Sequence, residues 1–304
     1  MEKTAFLFSG QGSQYPGMGK ELCELHPECL DIYACGSDIL GYDLKQLCFE
    51  GSEADLSQTR VSQPAIFATS LVALTCVRSE GITCDAVAGH SLGEYAAMVA
   101  AGIVSMEDGF RLIAARAAAM QKCAEQQDGA MFAILGSDSD AIAKACEEAP
   151  GYVVPVNYNS LAQTVIAGET AAAAAAADTL TASGAKAVRL SVNAAFHSKL
   201  MQPAADEFKS SAKNVVFHQP SVDFYSNITG GKLSDISDMP SYLANHIVSP
   251  VQFITELQTL AANGIARFIE LGPNKVLTGL VRKTLKGVTF FNVENERTLS
   301  KLLA

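Results

Sequence analysis

The fold is decided by the stretch AVAGHSLGEYAAMVA, residues 86–100. Its first three residues are small and apolar and predict a short strand, while the alanine-rich run predicts a helix over 94–101. Between them, Gly89-x-Ser91-x-Gly93 fits a nucleophile elbow, a tight strand-to-helix turn that holds a serine hydroxyl exposed. The competing interpretation is a serine that only caps the helix. The strand and helix favour the elbow, with Ser91 as a candidate nucleophile.

Strands and helices alternate on both sides of this stretch. Upstream, a strand over 4–8 ends in the glycine-rich loop 9–14, and helical patterns follow around 18–33 and 63–80. Downstream, a helix covers roughly 105–125. Such alternation predicts a parallel α/β sheet.

The order of strands and helices changes after the turn at Asp128-Gly129, and the earlier alternation of longer elements returns near His197. Between these points the order βαββαβ is that of a ferredoxin-like unit, with strands over 130–135, 152–157, 163–167 and 186–192 and helices over 138–148 and 170–183. Longer elements then resume, with helices over 198–210, 251–263 and 275–285 and strands over 222–226, 266–271 and 288–293. We therefore predict a hydrolase-like large α/β domain, residues 1–127 and 195–304, with an inserted ferredoxin-like subdomain over 128–194.

The composition is that of an acidic globular protein. Of the 304 residues, 49% are hydrophobic and 18% charged, which argues against a disordered or low-complexity chain. The formal charge of −10 disfavours non-specific binding to nucleic acid or anionic membranes, because both require a positive surface. The longest apolar stretch, 86–104, contains His90 and Glu94, and the N-terminal apolar run is too short for a secretion signal. We expect a cytoplasmic protein that binds neither nucleic acid nor membrane.

Eight cysteines are scattered along the chain without CxxC spacing. The densest group consists of Cys23, His26, Cys29 and Cys35. Their spacing places them at successively different angles around a helix, and Pro27 interrupts that helix, so the group does not fit a zinc site. We interpret the cysteines as reduced core thiols and expect no metal site.

A serine hydroxyl needs a base to take its proton, and the chain has five histidines. His90 adjoins the serine on the turn and is not expected to reach back to it. His26 belongs to a predicted surface helix. His197, His218 and His246 remain as equal candidates on this reasoning.

An acyl-serine enzyme also needs two N–H groups that stabilise the oxyanion. In elbow enzymes one belongs to the residue after the nucleophile, here Leu92. The second is predicted to be that of Gln11, because flanking glycines leave the backbone of the loop free to approach. A dinucleotide-binding loop fits less well, because Tyr15 stands where that motif has its third glycine.

Arg116 shares the apolar face of its predicted helix with Leu112, Ile113 and Met120. A guanidinium there must meet an anion, because an unpaired buried charge is costly. The anion is a structural carboxylate or a substrate carboxylate, which arginine can bind with two hydrogen bonds. The residues alone favour the structural salt bridge.

Taken in order, these motifs resemble those of bacterial malonyl-CoA:acyl-carrier-protein transacylases and of polyketide synthase acyltransferase domains. The resemblance covers essentially the whole chain. Besides the elbow, it rests on Gly10-Gln11-Gly12-Ser13-Gln14, Gln63-Pro64-Ala65, Arg116 with Met120-Gln121, Asn157-Tyr158-Asn159-Ser160, Phe196-His197-Ser198 with Leu200-Met201, Pro250-Val251-Gln252-Phe253, and Gly272-Pro273 before Lys275-Val276-Leu277-Thr278-Gly279.

The resemblance implies a catalytic dyad. Ser91 would accept the acyl group and His197 would be its general base, with the N–H groups of Gln11 and Leu92 as the oxyanion hole. The family lacks an acidic third member, and a backbone carbonyl near Gln252 would orient the histidine.

The resemblance also implies the substrates and the pocket that binds them. Arg116 would bind the malonyl carboxylate, and Gln63, Met120 and Phe196 would line the pocket, with Phe196 indicating a small acyl group. The partners would be malonyl-CoA and phosphopantetheinylated acyl carrier protein, in fatty acid biosynthesis, with no cofactor and a monomeric enzyme.

Three alternatives remain. A serine thioesterase or hydrolase would use the same nucleophile with water as acceptor. A discrete acyltransferase for polyketide synthase carrier domains would perform the same transfer on another partner. A binding module without catalysis is disfavoured, because Ser91, His197, Gln11 and Arg116 are all present.

Overall fold

A computed structural model describes residues 2–304. The strands are β1 Lys3–Phe8, β2 Ala86–Gly89, β3 Ala130–Leu135, β4 Val153–Ser160, β5 Gln163–Gly168, β6 Lys186–Arg189, β7 Asp223–Phe224, β8 Ile265–Leu271 and β9 Thr289–Val293. The helices of the first half are α1 Lys20–Leu25, α2 Leu30–Leu40, α3 Leu44–Glu50, α4 Glu53–Ser57, α5 Thr59–Ser79, α6 Gly93–Ala100 and α7 Met106–Gln126. Those of the second half are α8 Ser139–Glu148, α9 Thr170–Ala182, α10 Gln202–Ala212, α11 Met239–Val248, α12 Phe253–Ala262, α13 Val276–Thr284 and α14 Glu296–Leu303, and short 3₁₀ helices cover Pro27–Cys29 and Lys199–Met201.

Two separate sheets organise the chain. The first is parallel, in the order β7-β2-β1-β8-β9, and the second is antiparallel, in the order β4-β5-β3-β6. The elements of the second sheet follow one another as βαββαβ. The predicted fold class, a parallel α/β domain with a ferredoxin-like unit, is confirmed, while the domain limits at 127/128 and 194/195 stay a prediction.

The central strand β1 shows why the large sheet is buried on both faces. Phe6 and Phe8 pack into the main core, while Ala5 and Leu7 pack into a second cluster on the opposite face. Alternate side chains of a strand point to opposite faces, so helices cover this sheet on both sides.

Several predicted elements differ from those in the structure. The helix expected over 18–33 is broken, because Pro27 starts a 3₁₀ turn between α1 and α2. The strand expected over 186–192 ends at Arg189. Helices α3, α4, α11 and α14 were not predicted, although each begins at a side chain that accepts a hydrogen bond from its first turn, namely Asp43, Ser52, Asp238 and Asn295.

Among residues 2–304, one helix is long and apolar enough to cross a membrane by length and composition, and it is α5 rather than the stretch 86–104. In the fold, 89% of its apolar window is buried inside the protein. A core helix of a globular domain passes the same test, so the apolar character of α5 is explained by packing.

Candidate active site

Ser91 lies in the turn between β2 and α6, with a left-handed φ of 54°. Such a φ is unusual for a residue other than glycine and is found where surrounding structure holds the backbone. The flanking glycines allow close approach: a Cβ on Gly93 would collide with the Phe8 carbonyl, and one on Gly89 with the backbone of Gly93. The turn therefore has the geometry of a nucleophile elbow.

His197 is the histidine that meets the serine. Its Nε2 lies 2.7 Å from Ser91 Oγ, and its Nδ1 lies 3.1 Å from the carbonyl oxygens of His246 and of Ser249. Because carbonyl oxygens only accept, the ring proton is assigned to Nδ1, and the lone pair of Nε2 faces the serine hydroxyl. This tautomer can take the serine proton.

The carbonyls at His197 Nδ1 belong to His246 and to Ser249, which lies three residues before Gln252, near which the orienting carbonyl is expected. His246 belongs to the last turn of α11, where carbonyl oxygens have no partner within the helix, and Ser249 follows that end. Gln252 lies further along the chain, and its N–H donates to the carbonyl of Asn227 at 2.7 Å.

Burial makes His197 a neutral base. Removal from water, reinforced by the positive charge of Arg116, lowers the pKa of His197 from 6.5 to about 3. The imidazole is thus uncharged at neutral pH and ready to accept a proton.

The other histidines are placed where they do not meet the serine hydroxyl. His90 Nε2 lies 2.7 Å from Asn159 Oδ1, and His26 faces Glu28. His218 is exposed. His246 is buried behind His197, at a ring separation of 5.6 Å, and contributes its carbonyl rather than its imidazole.

The two N–H groups predicted for the oxyanion come from neighbouring loops. Gln11 follows β1 and Leu92 follows β2, and these strands pair in parallel, so both loops lie at the same edge of the sheet. Within residues 2–304, neither N–H donates to a protein acceptor. Both N–H groups are therefore available to donate to an oxyanion at Ser91. The geometry is compatible with the oxyanion hole predicted from Gln11 and Leu92.

Arg116 reaches the serine from α7. Its Nη2 donates to Ser91 Oγ at 3.1 Å, its Nη1 donates to Gln63 Oε1 at 2.7 Å, and its guanidinium lies 5.5 Å from the centre of the Tyr95 ring. No carboxylate in the described chain forms an ion pair with it, and its buried Nε has no partner. The structural salt bridge favoured by the residues alone is therefore not formed.

A cavity of about 430 Å³ opens at Ser91. Its walls include both candidate catalytic side chains and two of the predicted pocket residues: Gln11, Gly12, Gln14, Ser57, His90, Ser91, Met120, Met131, Asn157, Arg189, Leu190, Ser191, Val192, Phe196 and His197. Gln63 lies behind the wall, where its Nε2 donates to Met120 Sδ at 3.5 Å and its Oε1 holds Arg116. Gln63 thus positions the arginine.

A buried polar network beneath the elbow was not predicted. It contains the buried residues Glu94, Asn227, His246 and Glu256 and the half-buried Tyr242. Burial raises the pKa of Glu94 to about 8 and raises that of Glu256 as well. Glu94 belongs to the elbow motif, as the residue after Gly93, and His246 was a candidate base, but nothing local in the sequence marks Asn227, Tyr242 or Glu256.

The cysteine group does not assemble as a metal site. Cys29 Sγ lies 3.9 Å from Cys76 Sγ in the core, while the ring of His26 faces Glu28. Across residues 2–304, no three His, Cys, Asp or Glu side chains converge as metal ligands would. The expectation that no metal is needed stays a prediction.

A serine on a strand-to-helix elbow, a neutral histidine at its hydroxyl and two free N–H groups can form and resolve an acyl-serine. The fold and this geometry define an α/β enzyme of the nucleophile-elbow class.

Comparison with known proteins gives the family. The model of the acyl transferase domain family matches residues 5–302. The malonyl CoA-acyl carrier protein transacylase of Bacillus subtilis is 37% identical over 303 residues, 98% of this chain and 96% of that protein. That of Salmonella typhimurium is 38% identical, over 100% and 99% of the two chains. The chain therefore belongs to the acyl transferase domain family.

Solved structures agree over the whole length. A malonyl-CoA:acyl carrier protein transacylase from Xanthomonas oryzae superposes with a TM-score of 0.96 at 35% identity, covering 100% of this chain and 98% of that one. A malonyl-transacylase in complex with a type II polyketide synthase acyl-carrier protein gives a TM-score of 0.95 at 34% identity, covering 99% of each chain.

Proposed function

We propose that this chain transfers a malonyl group from malonyl-CoA to the phosphopantetheine thiol of an acyl carrier protein, through malonyl-Ser91. The observation that carries the proposal is Arg116. A buried guanidinium without a carboxylate partner lies 3.1 Å from the nucleophile, where it can bind the free carboxylate of a malonyl group. The relatives named above carry the same activity in their names.

The two half-reactions use the same groups in opposite directions. His197 Nε2 takes the proton of Ser91 as Oγ attacks the thioester carbonyl, and the N–H groups of Gln11 and Leu92 stabilise the oxyanion. The intermediate collapses with loss of the CoA thiolate, which takes the proton from His197. The carrier thiol then gives its proton to His197 and attacks the serine ester, and Ser91 regains a proton as it leaves.

The transfer test separates this function from hydrolysis. Malonyl-enzyme, isolated after reaction with malonyl-CoA, should lose its acyl group rapidly to phosphopantetheinylated carrier protein and only slowly to buffer. Intact-mass measurement of enzyme and carrier over time follows both outcomes. Release of free malonate at equal rates with and without the carrier would identify a hydrolase.

Arg116→Ala should lower malonyl transfer by about 30-fold, since a hydrogen bond to a charged group contributes about 2 kcal/mol. Acetyl transfer should stay level or rise, because acetyl has no carboxylate, and lysine should rescue poorly because an ammonium lacks the guanidinium fork. The malonyl-to-acetyl ratio is the measurement.

Arg111→Ala is the matched control, since Arg111 lies on the same helix but is exposed and pairs with Asp108 at 2.7 Å. Equal loss of malonyl and acetyl transfer in Arg116→Ala, with the ratio unchanged, would make the arginine structural.

A second carrier partner is favoured by two comparisons. One solved relative is bound to a polyketide synthase carrier protein, and a polyketide biosynthesis protein of Burkholderia thailandensis is 37% identical over 92% of this chain, which matches 24% of that longer protein. We assign fatty acid biosynthesis as the pathway and keep the polyketide role as the alternative. Incubating the enzyme with a mixture of candidate carriers and weighing which become malonylated distinguishes them.

The remaining parts of the proposal concern the setting of the enzyme. We place it in the cytoplasm as a monomer without cofactor, binding neither nucleic acid nor membrane. The net charge of −10 supports the part that concerns nucleic acid and anionic membranes, because both attract positive surfaces, and the burial of α5 agrees with a core helix.

A further inference from the structure

Asn227 lies directly beneath the elbow. It follows β7, the strand beside β2, so its loop reaches the same edge of the sheet as Ser91. The side chain is fully buried, and every hydrogen-bonding position of its amide is used. Oδ1 faces Ser91 N–H at 2.7 Å and His246 Nε2 at 3.3 Å, and Nδ2 faces the Gly89 carbonyl at 2.6 Å and Glu256 Oε2 at 2.7 Å.

The backbone partners determine which way the amide points. Ser91 N–H can only donate and the Gly89 carbonyl can only accept, so the oxygen must face the first and the nitrogen the second. The oxygen can accept from His246 only if Nε2 of that ring carries a proton. His246 Nδ1 has no partner in the described chain, so a second ring proton would be a buried unpaired donor, which agrees with the lowered pKa of His246.

Asn227 is thereby linked to both halves of the dyad. On one side it holds the backbone at Gly89 and Ser91, the segment that must keep a φ of 54° for the hydroxyl to be presented. On the other side it contacts the ring of His246, whose carbonyl accepts from His197 Nδ1. One amide therefore lies between the element that presents the nucleophile and the residue that orients the base.

We propose that Asn227 is a positioning residue that keeps Ser91 Oγ and His197 Nε2 at hydrogen-bond distance by holding the elbow and His246 together. The inference rests on the proposed acyl transfer. Asn227 does not line the cavity and touches no reacting atom, so its effect reaches the reaction only through the geometry of the dyad.

The test is single-turnover acylation by malonyl-CoA, quenched and weighed as intact protein, which separates rate constant from amplitude. Asn227→Leu keeps the approximate volume and removes all four hydrogen bonds. We expect its acylation rate constant to fall by about 10²-fold, the effect of displacing reacting groups by about 1 Å, while the amplitude stays complete. A rate constant equal to that of the unmodified enzyme, with loss only of amplitude or melting temperature, would overturn the proposal.

Tyr242→Phe is the matched control in the same network. Its hydroxyl donates to Glu94 Oε2 at 2.9 Å and lies 2.8 Å from Ser226 Oγ, but it touches neither Ser91 nor Gly89. This variant should lose stability and still acylate at nearly the unmodified rate. A loss equal to that of Asn227→Leu would assign the effect to the network as a whole and overturn the specific role of Asn227.

Asn227→Asp provides an isosteric second variant if Asn227→Leu does not fold. It keeps the acceptor for Ser91 N–H, but its second oxygen carries at most one proton, so it can donate to the Gly89 carbonyl or to Glu256 and not to both. Glu94, Tyr242 and His246 are the other titratable groups around it. We expect a slowed rate constant that falls further as pH rises, and an unmodified rate at every pH would count against the proposal.

A separate control distinguishes failure of the positioning role from failure of the proposed acyl transfer. The unmodified enzyme must form the malonyl adduct, and its absence would refute the transacylase assignment. A fluorophosphonate, from which the serine displaces fluoride, then reports the dyad without any acyl donor. Slower labelling of Asn227→Leu than of the unmodified enzyme would support the positioning role. Equal labelling of the two proteins, or no labelling of either, would contradict it.

Discussion

Ser91→Ala should abolish the malonyl-enzyme adduct and reduce transfer by about a millionfold, the scale seen when a serine nucleophile is removed. The elbow presents a single hydroxyl to His197 Nε2, at 2.7 Å, and alanine leaves no atom there to form the ester. Incubation with malonyl-CoA followed by intact-mass analysis measures the effect directly.

Ser57→Ala is a suitable control for Ser91→Ala. Ser57 lines the same cavity, but its hydroxyl donates to the Ala54 carbonyl, so the adduct should still form. If the Ser91→Ala protein carried a full malonyl adduct, the nucleophile would be another residue.

His197→Ala should slow both half-reactions by about 10² to 10⁴, the usual contribution of a positioned general base. The same imidazole takes the serine proton in the first half-reaction and the carrier thiol proton in the second, so acylation and transfer should fall together. Rapid-quench measurement of each half-reaction checks this. His218→Ala is the control, because His218 is exposed, and undiminished rates in His197→Ala would require another base.

The pH dependence of acylation provides a second test of His197. With a pKa near 3 in the folded protein, the base is already neutral at pH 5, so the rate should show no break near 6.5. The unfolded histidine binds protons below about pH 6.5, so its burial lowers stability as the pH falls, and circular dichroism must confirm folding in each sample. A loss of rate centred near pH 6.5 would show that the base is more exposed to water than in this structure.

The helices show the limits of prediction from sequence. The helix expected around residues 63–80 corresponds to α5, because a long apolar pattern identifies an element even when its ends shift. Helices α3 and α4 were missed, because each has only a few residues and depends on a cap and on packing more than on periodicity. The sequence placed the orienting carbonyl only near Gln252, because the carbonyls of His246 and Ser249 belong to the end of α11, a helix that was not predicted.

The sequence by itself determined the elbow, the order of the two sheets' elements and the need of Arg116 for an anion. These features depend on residues close together in the chain, where glycine positions and the periods of strand and helix act locally. The residues alone left three histidines open and the family resemblance indicated His197, whereas the tertiary structure decided that His197 meets Ser91, which carbonyls orient it and that no carboxylate in residues 2–304 pairs with Arg116. Asn227 lies 136 residues from Ser91 and reaches it because β7 and β2, distant in the chain, pair in one parallel sheet whose loops share an edge. His197 lies 106 residues from Ser91, in the segment that follows β6 of the second sheet, and the carbonyls of His246 and Ser249 hold its ring there.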